Sequence, residues 1–268
     1  MNLTEIVMGR KSVRTYDGKP LSEEHLLNLG KYIREVPNPF DIPVELKLLK
    51  ADKYGLSTLV TTGEDYYVAG IVPKKPYADV AFGYTFERLV LHAWELGVGT
   101  VWIGGTMKRE LFEQAADIKD GEMMPCVSPL GYPAGKRTLK ETMMRKGISA
   151  DSRISADKLF FKGEWGKPLT SSDDMAAILE LVRWAPSAVN KQPWRIIEKD
   201  GVYHFYEKKD KGFVNDAVGD MQKVDLGIAL CHFIMGLEEK GKKADVSIAD
   251  PGIKIPSDAE YIASVSIQ

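Results

Sequence analysis

The sequence predicts an α+β fold built from two related α+β units in one chain, and three observations carry that prediction. Two amphipathic helical stretches each stop at a proline and run into a strand; two longer apolar helices are each closed by a glycine; each half then carries a short strand and a later apolar one. Two units at this spacing are too few for a solenoid.

After a short N-terminal helix, the first amphipathic stretch begins at Leu21-Ser22-Glu23-Glu24. Ser22 suits an N-cap, and the two glutamates favour the positive end of the helix dipole. Leu26, Leu29, Ile33 and Val36 recur at helical spacing. The helix ends before Pro37, because a residue preceding proline is pushed out of the α region. Past the turn-rich Pro37-Asn38-Pro39-Phe40-Asp41, Val44, Leu46 and Leu48 alternate with Glu45 and Lys47 as a strand. Phe82, Phe86, Leu89, Val90 and Ala93 form an apolar helix stripe closed by Gly97 as C′. Short and apolar strands follow at Thr100-Val101-Trp102-Ile103 and Cys126-Val127-Ser128-Pro129-Leu130, with Thr106 as cap of a helix over residues 107–116 between them.

From Leu169 the pattern returns. Ser172 caps, Asp173 and Asp174 occupy the first turn, and Met175, Ile178, Leu179 and Val182 give the helical stripe up to Pro186. Trp194-Arg195-Ile196-Ile197-Glu198 is the strand. Val224, Ile228, Cys231 and Met235 form the long helix closed by Gly241, and strands follow at 245–248 and 261–265. Val36-Pro37 thus matches Ala185-Pro186, and Pro43 matches Pro193. The expected division is residues 1–147, an ordered connecting arm at 148–168 holding Leu159-Phe160-Phe161 and Trp165, and residues 169–268.

The 268 residues suffice for a large core, with 44% hydrophobic and 28% charged residues. A formal charge of −2 supplies no basic field for nucleic acid or anionic lipid. Cys126 and Cys231 lack CxxC spacing, and His25, His92, His204 and His232 form no metal-binding array. The cysteines are expected buried and unpaired in a reducing compartment. No leader pattern and no apolar stretch of membrane-spanning length appears, so a cytoplasmic protein with neither membrane nor nucleic-acid partner is expected. No GxSxG, P-loop or Rossmann fingerprint is present.

Two motifs carry chemistry. In Arg10-Lys11-Ser12-Val13-Arg14, alternate spacing places Arg10, Ser12 and Arg14 on one side of an extended segment, where arginine offers bidentate geometry to phosphate and serine a neutral donor. In Pro186-Ser187-Ala188-Val189-Asn190-Lys191-Gln192-Pro193-Trp194, proline fixes the entry to a loop whose Ser187 and Asn190 can bond a ligand edge or their own backbone. Gly104-Gly105 closes Gly99-Thr100-Val101-Trp102-Ile103, and Gly131-Tyr132-Pro133 follows the apolar strand.

Together these motifs resemble the nitroreductase family, whose three-layer α+β fold binds FMN at the interface of an intertwined homodimer. The resemblance implies that Arg10, Lys11 and Ser12 hold the phosphate and ribityl end and that Arg14 lies near N1 and O2, where reduction places negative charge. It also implies that Ile103, Gly104 and Gly105 present backbone to N5 and O4, glycine allowing close approach. Pro186, Ser187, Ala188 and Asn190 then line the ring edge from the opposite unit. Asp151-Ser152-Arg153 stands where the family returns a basic residue to the phosphate; lysine is common where Asp151 stands, and Arg137 or Arg145 are alternatives to Arg153. The tryptophans Trp94, Trp102, Trp165 and Trp184 are read as core or interface.

In the family's homodimer the phosphate motif and the Pro-Ser loop come from different subunits. Here the first unit keeps the Arg-Ser motif and Gly104-Gly105, but its own loop reads Pro37-Asn38-Pro39-Phe40; the second keeps Pro186 to Trp194 and lacks the other motifs. The expectation is a monomeric pseudo-dimer with one FMN site. The resemblance implies ping-pong hydride transfer from NAD(P)H through FMN to a nitroaromatic or quinone, with no side chain named as catalytic because the cofactor carries the chemistry. Alternatives are reductive dehalogenation, azoline oxidation, or a flavin-storage or redox-sensing protein in which Phe160, Phe161 or Trp165 covers the open ring face.

Overall fold

The computed structural model describes residues 1–135, 142, 143, 147, 149 and 151–268. Arg137 and Arg145 lie outside the described residues. Helix α1 (Leu3–Gly9) starts in a capping box: the Asn2 side chain accepts from Glu5 N at 2.8 Å and Asn2 N donates to Glu5 Oε2 at 3.0 Å. Helix α2 (Glu23–Glu35) is capped by Ser22, as its sequence predicts. Strand β1 (Glu45–Lys50), the one-turn α3 (Ala51–Tyr54), β2 (Tyr66–Pro73), α4 (Ala78–Glu95), α5 (Arg109–Ala116), β3 (Glu122–Met123) and β4 (Val127–Leu130) complete the first half.

Three expectations for this half need correction. Strand β1 buries Leu46 and Leu49 rather than a strict alternation, because it has packed groups on both faces: Leu46 joins the main core and Leu49 a second cluster under α5. Residues 100–103 form isolated bridges, Ser12 to Thr100 and Ile103 to Val127, instead of a continuous strand. Thr106 does not cap α5, which starts at Arg109 behind Lys108.

In the second half, β5 (Phe160–Lys162), α6 (Asp173–Trp184), β6 (Trp194–Lys199), β7 (Val202–Lys208), the small hairpin β8 (Val214–Asn215) and β9 (Gly219–Asp220), α7 (Met221–Glu239), β10 (Ala244–Ser247) and β11 (Ala259–Ile267) follow in order. The two main sheets share a plan. Strands β1, β2 and β4 are neighbours, all antiparallel, as are β6, β7 and β11. The bridge of Ile103 to β4 occupies the position that β10 takes beside β11. The second sheet gains one strand, β5 from the arm, paired parallel with β6.

Helices α4 and α7 form the layer between the sheets, and their crossing is reciprocal. A Cβ on Gly83 would stand 2.0 Å from Val224 O, and one on Gly227 would stand 2.1 Å from Val80 O. Each glycine follows the valine of its own helix by one turn, so the two backbones touch in a pseudo-two-fold arrangement that no side chain would permit. The apolar core runs continuously across both halves, from Phe82, Phe86 and Leu89 of α4 to Val224, Ile228 and Phe233 of α7. Helix α1 crosses to the other half, Leu3, Ile6 and Val7 packing with Leu181 of α6. Among the described residues, no helix is long and apolar enough to cross a membrane.

Candidate functional site

Where the two halves meet, a cavity of about 520 Å³ opens between residues 12–14, residues 101–106, the loop after α6, the segment 212–218 and the first turns of α7. That size falls within the range of ordinary small-molecule pockets. Both motifs singled out in the sequence reach it. From the first half come Ser12, Arg14, Ile103, Gly104 and Gly105; from the second come Pro186, Ser187 and Ala188.

Residues 12–14 are held extended by Val13 N, which donates to Thr100 O at 2.8 Å, and by Thr62 N, which donates to Arg14 O at 3.0 Å. Val13 is buried against Gly99, so the alternation predicted from spacing turns Ser12 and Arg14 toward the cavity. The glycine pair is set by a guanidinium that sequence reading missed. Arg109 Nη2 donates to Gly104 O and Nη1 to Met124 O, both at 2.6 Å. With that carbonyl turned toward Arg109, the trans peptide directs the Gly105 N–H the opposite way. No protein atom lies within 4 Å of where a Gly105 Cβ would stand. Its glycine is therefore unexplained by protein packing and leaves room for a flat group against the backbone.

The Pro186 loop is held in a costly shape. Val189, Asn190 and Gln192 have φ of 43°, 60° and 52°, and a β-branched residue with positive φ is a genuine outlier. Such positions cost about 1–3 kcal/mol each. The loop is fixed by Gln192 N donating to Ser187 Oγ at 2.9 Å and by Ile154 N donating to Gln192 Oε1 at 2.9 Å. Asn190 Nδ2 donates to Ser149 O at 2.8 Å and to Ser152 O at 3.1 Å, so its amide ties the loop to the arm and lies outside the cavity lining.

Three further residues assigned to the phosphate end sit beyond the lining. Arg10 Nε lies 4.0 Å from Glu87 Oε1 in a buried contact. Lys11 is exposed, its ammonium 5.9 Å from the Trp94 ring. The Arg153 guanidinium lies 4.8 Å from the Trp184 ring. Trp94 and Trp184 pack on one apolar cluster, so Lys11 and Arg153 flank the same place at the foot of α1.

Glu87, fully buried on α4, links this end to the cavity. Its Oε1 meets His232 Nε2 at 2.9 Å and its Oε2 accepts from Trp102 Nε1 at 3.1 Å. His232 Nδ1 donates to Leu181 O at 2.9 Å, since a carbonyl only accepts. His232 thus joins α7 to α4 and α6, and Trp102 lines the cavity as well as packing on the core. The aromatic residues of the arm are not at the site: Phe161 and Trp165 pack against Ile197 and Tyr206 on the outer face of the second sheet, and Phe160 is in the main core. Their apolar area is used up by β5 joining β6, which overturns the expectation that they cover a ring face.

Sequence reading also missed Asp225, Met221, Val224 and Ile228 of α7 and Phe213, all of which line the cavity. Asp225 lies between Val224 and Leu226 in the mostly apolar, buried part of the helix, well before Glu238 and Glu239 at its end, and that buried acid was the available signal. Burial pushes its carboxyl well above the usual range; the N–H of Ala188 opposes the shift, and nearby Asp220 and Glu207 reinforce it. Burial likewise raises Asp79 to about 6 and Glu207 to about 7. Cys126 is buried and unpaired, its thiol pushed up by burial. No group of three or more His, Cys, Asp or Glu among the described residues could hold a metal.

A family model described as "Putative TM nitroreductase" matches residues 2–237. Among solved structures, a "putative nitroreductase" from Thermotoga maritima MSB8 is 18% identical with a TM-score of 0.64, the alignment covering 99% of this chain and 93% of that one. A structure described as "the oxidoreductase containing FMN" is 16% identical with a TM-score of 0.50, covering 62% of this chain and 94% of that one. No curated protein matches the chain in sequence. At these identities the structural likeness speaks to the fold, and the first match extends along nearly the whole of both chains.

Proposed function

This chain belongs to the TM nitroreductase family of oxidoreductases, and on that premise we propose that it binds one FMN between its halves and passes hydride from NAD(P)H to a small nitroaromatic or quinone. The observation that carries the reading is the cavity itself, lined by Arg14, Gly104 and Gly105 of one half and by Pro186 to Ala188 of the other. Each half supplies what the other lacks. The division into residues 1–147, an arm at 148–168 and residues 169–268 belongs to the same proposal, as does action as a cytoplasmic monomer.

When bound, FMN supplies the hydride chemistry. The chain's own residues bind and orient. Arg14 places a cation where the reduced ring would gather negative charge, and the Gly105 amide, aimed by Arg109, offers a preorganised donor. Ser12 and Ser187 present hydroxyls on opposite walls. Arg10, Lys11 and Arg153, clustered around the foot of α1, are assigned the phosphate, with Glu87 holding Arg10 in place. The apolar wall of Met221, Val224 and Ile228 excludes water from the reacting face.

Titration of the apo-protein with FMN, followed by sedimentation, tests this directly. The expected result is one flavin per chain on a monomer, bleached by NADH or NADPH in stopped flow. Two flavins per chain, or flavin held only by a dimer, would sink the pseudo-dimer; bound flavin that neither donor bleaches would favour storage or sensing.

A further inference from the structure

We propose that Asp225 is the catalytic acid of this cavity, giving its proton to the oxygen of a quinone-class acceptor as hydride reaches that acceptor. The inference rests on the flavin-oxidoreductase reading and names a residue that reading does not need.

The geometry carries it. Asp225 sits one turn inside α7, is 2% exposed, and lines the cavity between Val224 and Ile228. Both carboxyl oxygens point at a single donor: Ala188 N lies 3.0 Å from Oδ1 and 3.1 Å from Oδ2. One N–H cannot satisfy an ionised carboxylate, which offers about four acceptor sites. A neutral acid fits the same place, with one oxygen accepting from Ala188 and the other carrying a hydrogen. The charged groups that bear on it are Asp220, which caps its own helix, and Glu207 of the adjacent strand, both acidic. Across the cavity, Cys126 is buried close enough to be influenced by Asp225 and carries a raised, neutral thiol. Burial and like charges thus hold the proton on Asp225, in keeping with its raised carboxyl. A carboxylate there would oppose the negative charge of a reduced flavin; a neutral acid does not.

The step balances. A quinone needs one hydride and one proton to become a quinol. NAD(P)H supplies the hydride by way of the flavin, the Asp225 O–H bond breaks as the acceptor O–H bond forms, and the resulting carboxylate recovers a proton from water. Loading the enzyme with hydride calls for no acid, so the two half-reactions should respond differently to loss of Asp225.

The test uses full-length wild type, Asp225→Asn and, in case asparagine disturbs the fold, Asp225→Ser. In the flavin-free protein at neutral pH, infrared spectroscopy is expected to show a protonated-carboxyl stretch that both variants lose. In the FMN-loaded protein, bleaching by NAD(P)H is expected to change little, re-oxidation by benzoquinone to slow on the order of 100-fold, and re-oxidation by ferricyanide, which takes electrons without a proton, to stay at the wild-type rate. Unchanged benzoquinone re-oxidation, or no carboxyl band attributable to Asp225, overturns the proposal. Equal slowing with both oxidants also overturns it, because a purely structural role predicts that. Failure to bind or bleach FMN would instead remove the function it rests on, and is read separately.

Discussion

Helices α2 and α6 each run into a proline, yet the loops that follow do opposite things. The first, Pro37 to Ile42, closes on itself: Asn38 Nδ2 donates to Ile42 O at 2.8 Å and Phe40 N donates to Asn38 Oδ1 at 3.0 Å. The second, Pro186 to Gln192, spends its bonds elsewhere, with Ala188 on Asp225, Asn190 on the arm, and three non-glycine residues at positive φ. One loop satisfies its own polar groups with a single non-glycine residue at positive φ, Asp41, and the other holds three on a cavity wall. The same helix–proline–strand plan occurs in both halves, and backbone strain accumulates in the loop that borders the cavity.

The largest expected effect tests whether the halves are true counterparts. Gly83→Ala and Gly227→Ala each force a methyl onto a carbonyl of the facing helix, at 2.0 and 2.1 Å. Each is expected to cost about 3 kcal/mol or more, read by urea denaturation, and the two costs should agree. Tolerance of one and not the other would break the pseudo-two-fold reading. Gly105→Ala sharpens the contrast from the other side. With nothing within 4 Å of the new methyl, stability should move by less than about 0.5 kcal/mol. FMN affinity should nevertheless fall by about tenfold or more, a loss near 1.4 kcal/mol. An unchanged flavin affinity would mean the ring does not lie on Gly105.

Glycines at the ends of the long helices, prolines at the ends of the short ones, and the stripe of α6 were legible because each acts within one or two turns of chain. Gly97 and Gly241 have φ of 76° and 69°, and Met175, Ile178, Leu179 and Val182 are all buried. The central strands β2 and β7 were not foreseen. Buried on both faces, Tyr66 to Pro73 reads as an unbroken apolar run with no alternation to detect. The site divided the same way. Motif residues on extended segments reached the cavity, while the α7 wall was not assigned to it: Val224 and Ile228 were legible as a helix stripe, but a helix buried on nearly every side does not show which of its residues face a cavity. Arg109 was missed because its partners are carbonyls, which no side-chain pattern marks.

Raised carboxyls occur in both halves, Asp79 in the first and Glu207 and Asp225 in the second. Glu207 on β7 is 1% exposed and pushed from 4.5 to about 7 by burial, with Asp220 adding to the shift. A carboxyl raised in the folded state keeps a proton that the unfolded chain has already lost. Its contribution to stability is therefore full below the ordinary carboxyl range and declines as pH rises from about 4.5 to about 7, with no further change above. Glu207→Gln should remove that share of the slope, on the order of 2 kcal/mol at neutral pH, and make the variant more stable than wild type there. Denaturant midpoints measured across the window check it; a slope that survives in the variant would assign it to Asp79 and Asp225, which shift in the same direction.

The smallest effects return to the two loops. Asn38→Ala removes both bonds that close the first loop, and Asn38 is not among the residues that line the cavity. Its cost should be about 1 kcal/mol of global stability, with FMN affinity unchanged. Asn190→Ala removes donors to Ser149 and Ser152 and leaves Ser187–Gln192 and Gln192–Ile154 intact. Its partners are arm carbonyls with access to water, but Asn190 has a φ of 60°, where alanine is strained, so global stability should fall by about as much as for Asn38→Ala. The arm, however, loses one of its attachments to the loop, and Arg153 rides on that arm beside Trp184. Limited proteolysis should then cut the arm sooner, and FMN affinity should drop although Asn190 does not line the cavity. If Asn190→Ala instead weakened FMN binding with no change in proteolysis, the amide would have to reach the flavin itself, and the division of labour between the two loops would be sharper than their bonds alone describe.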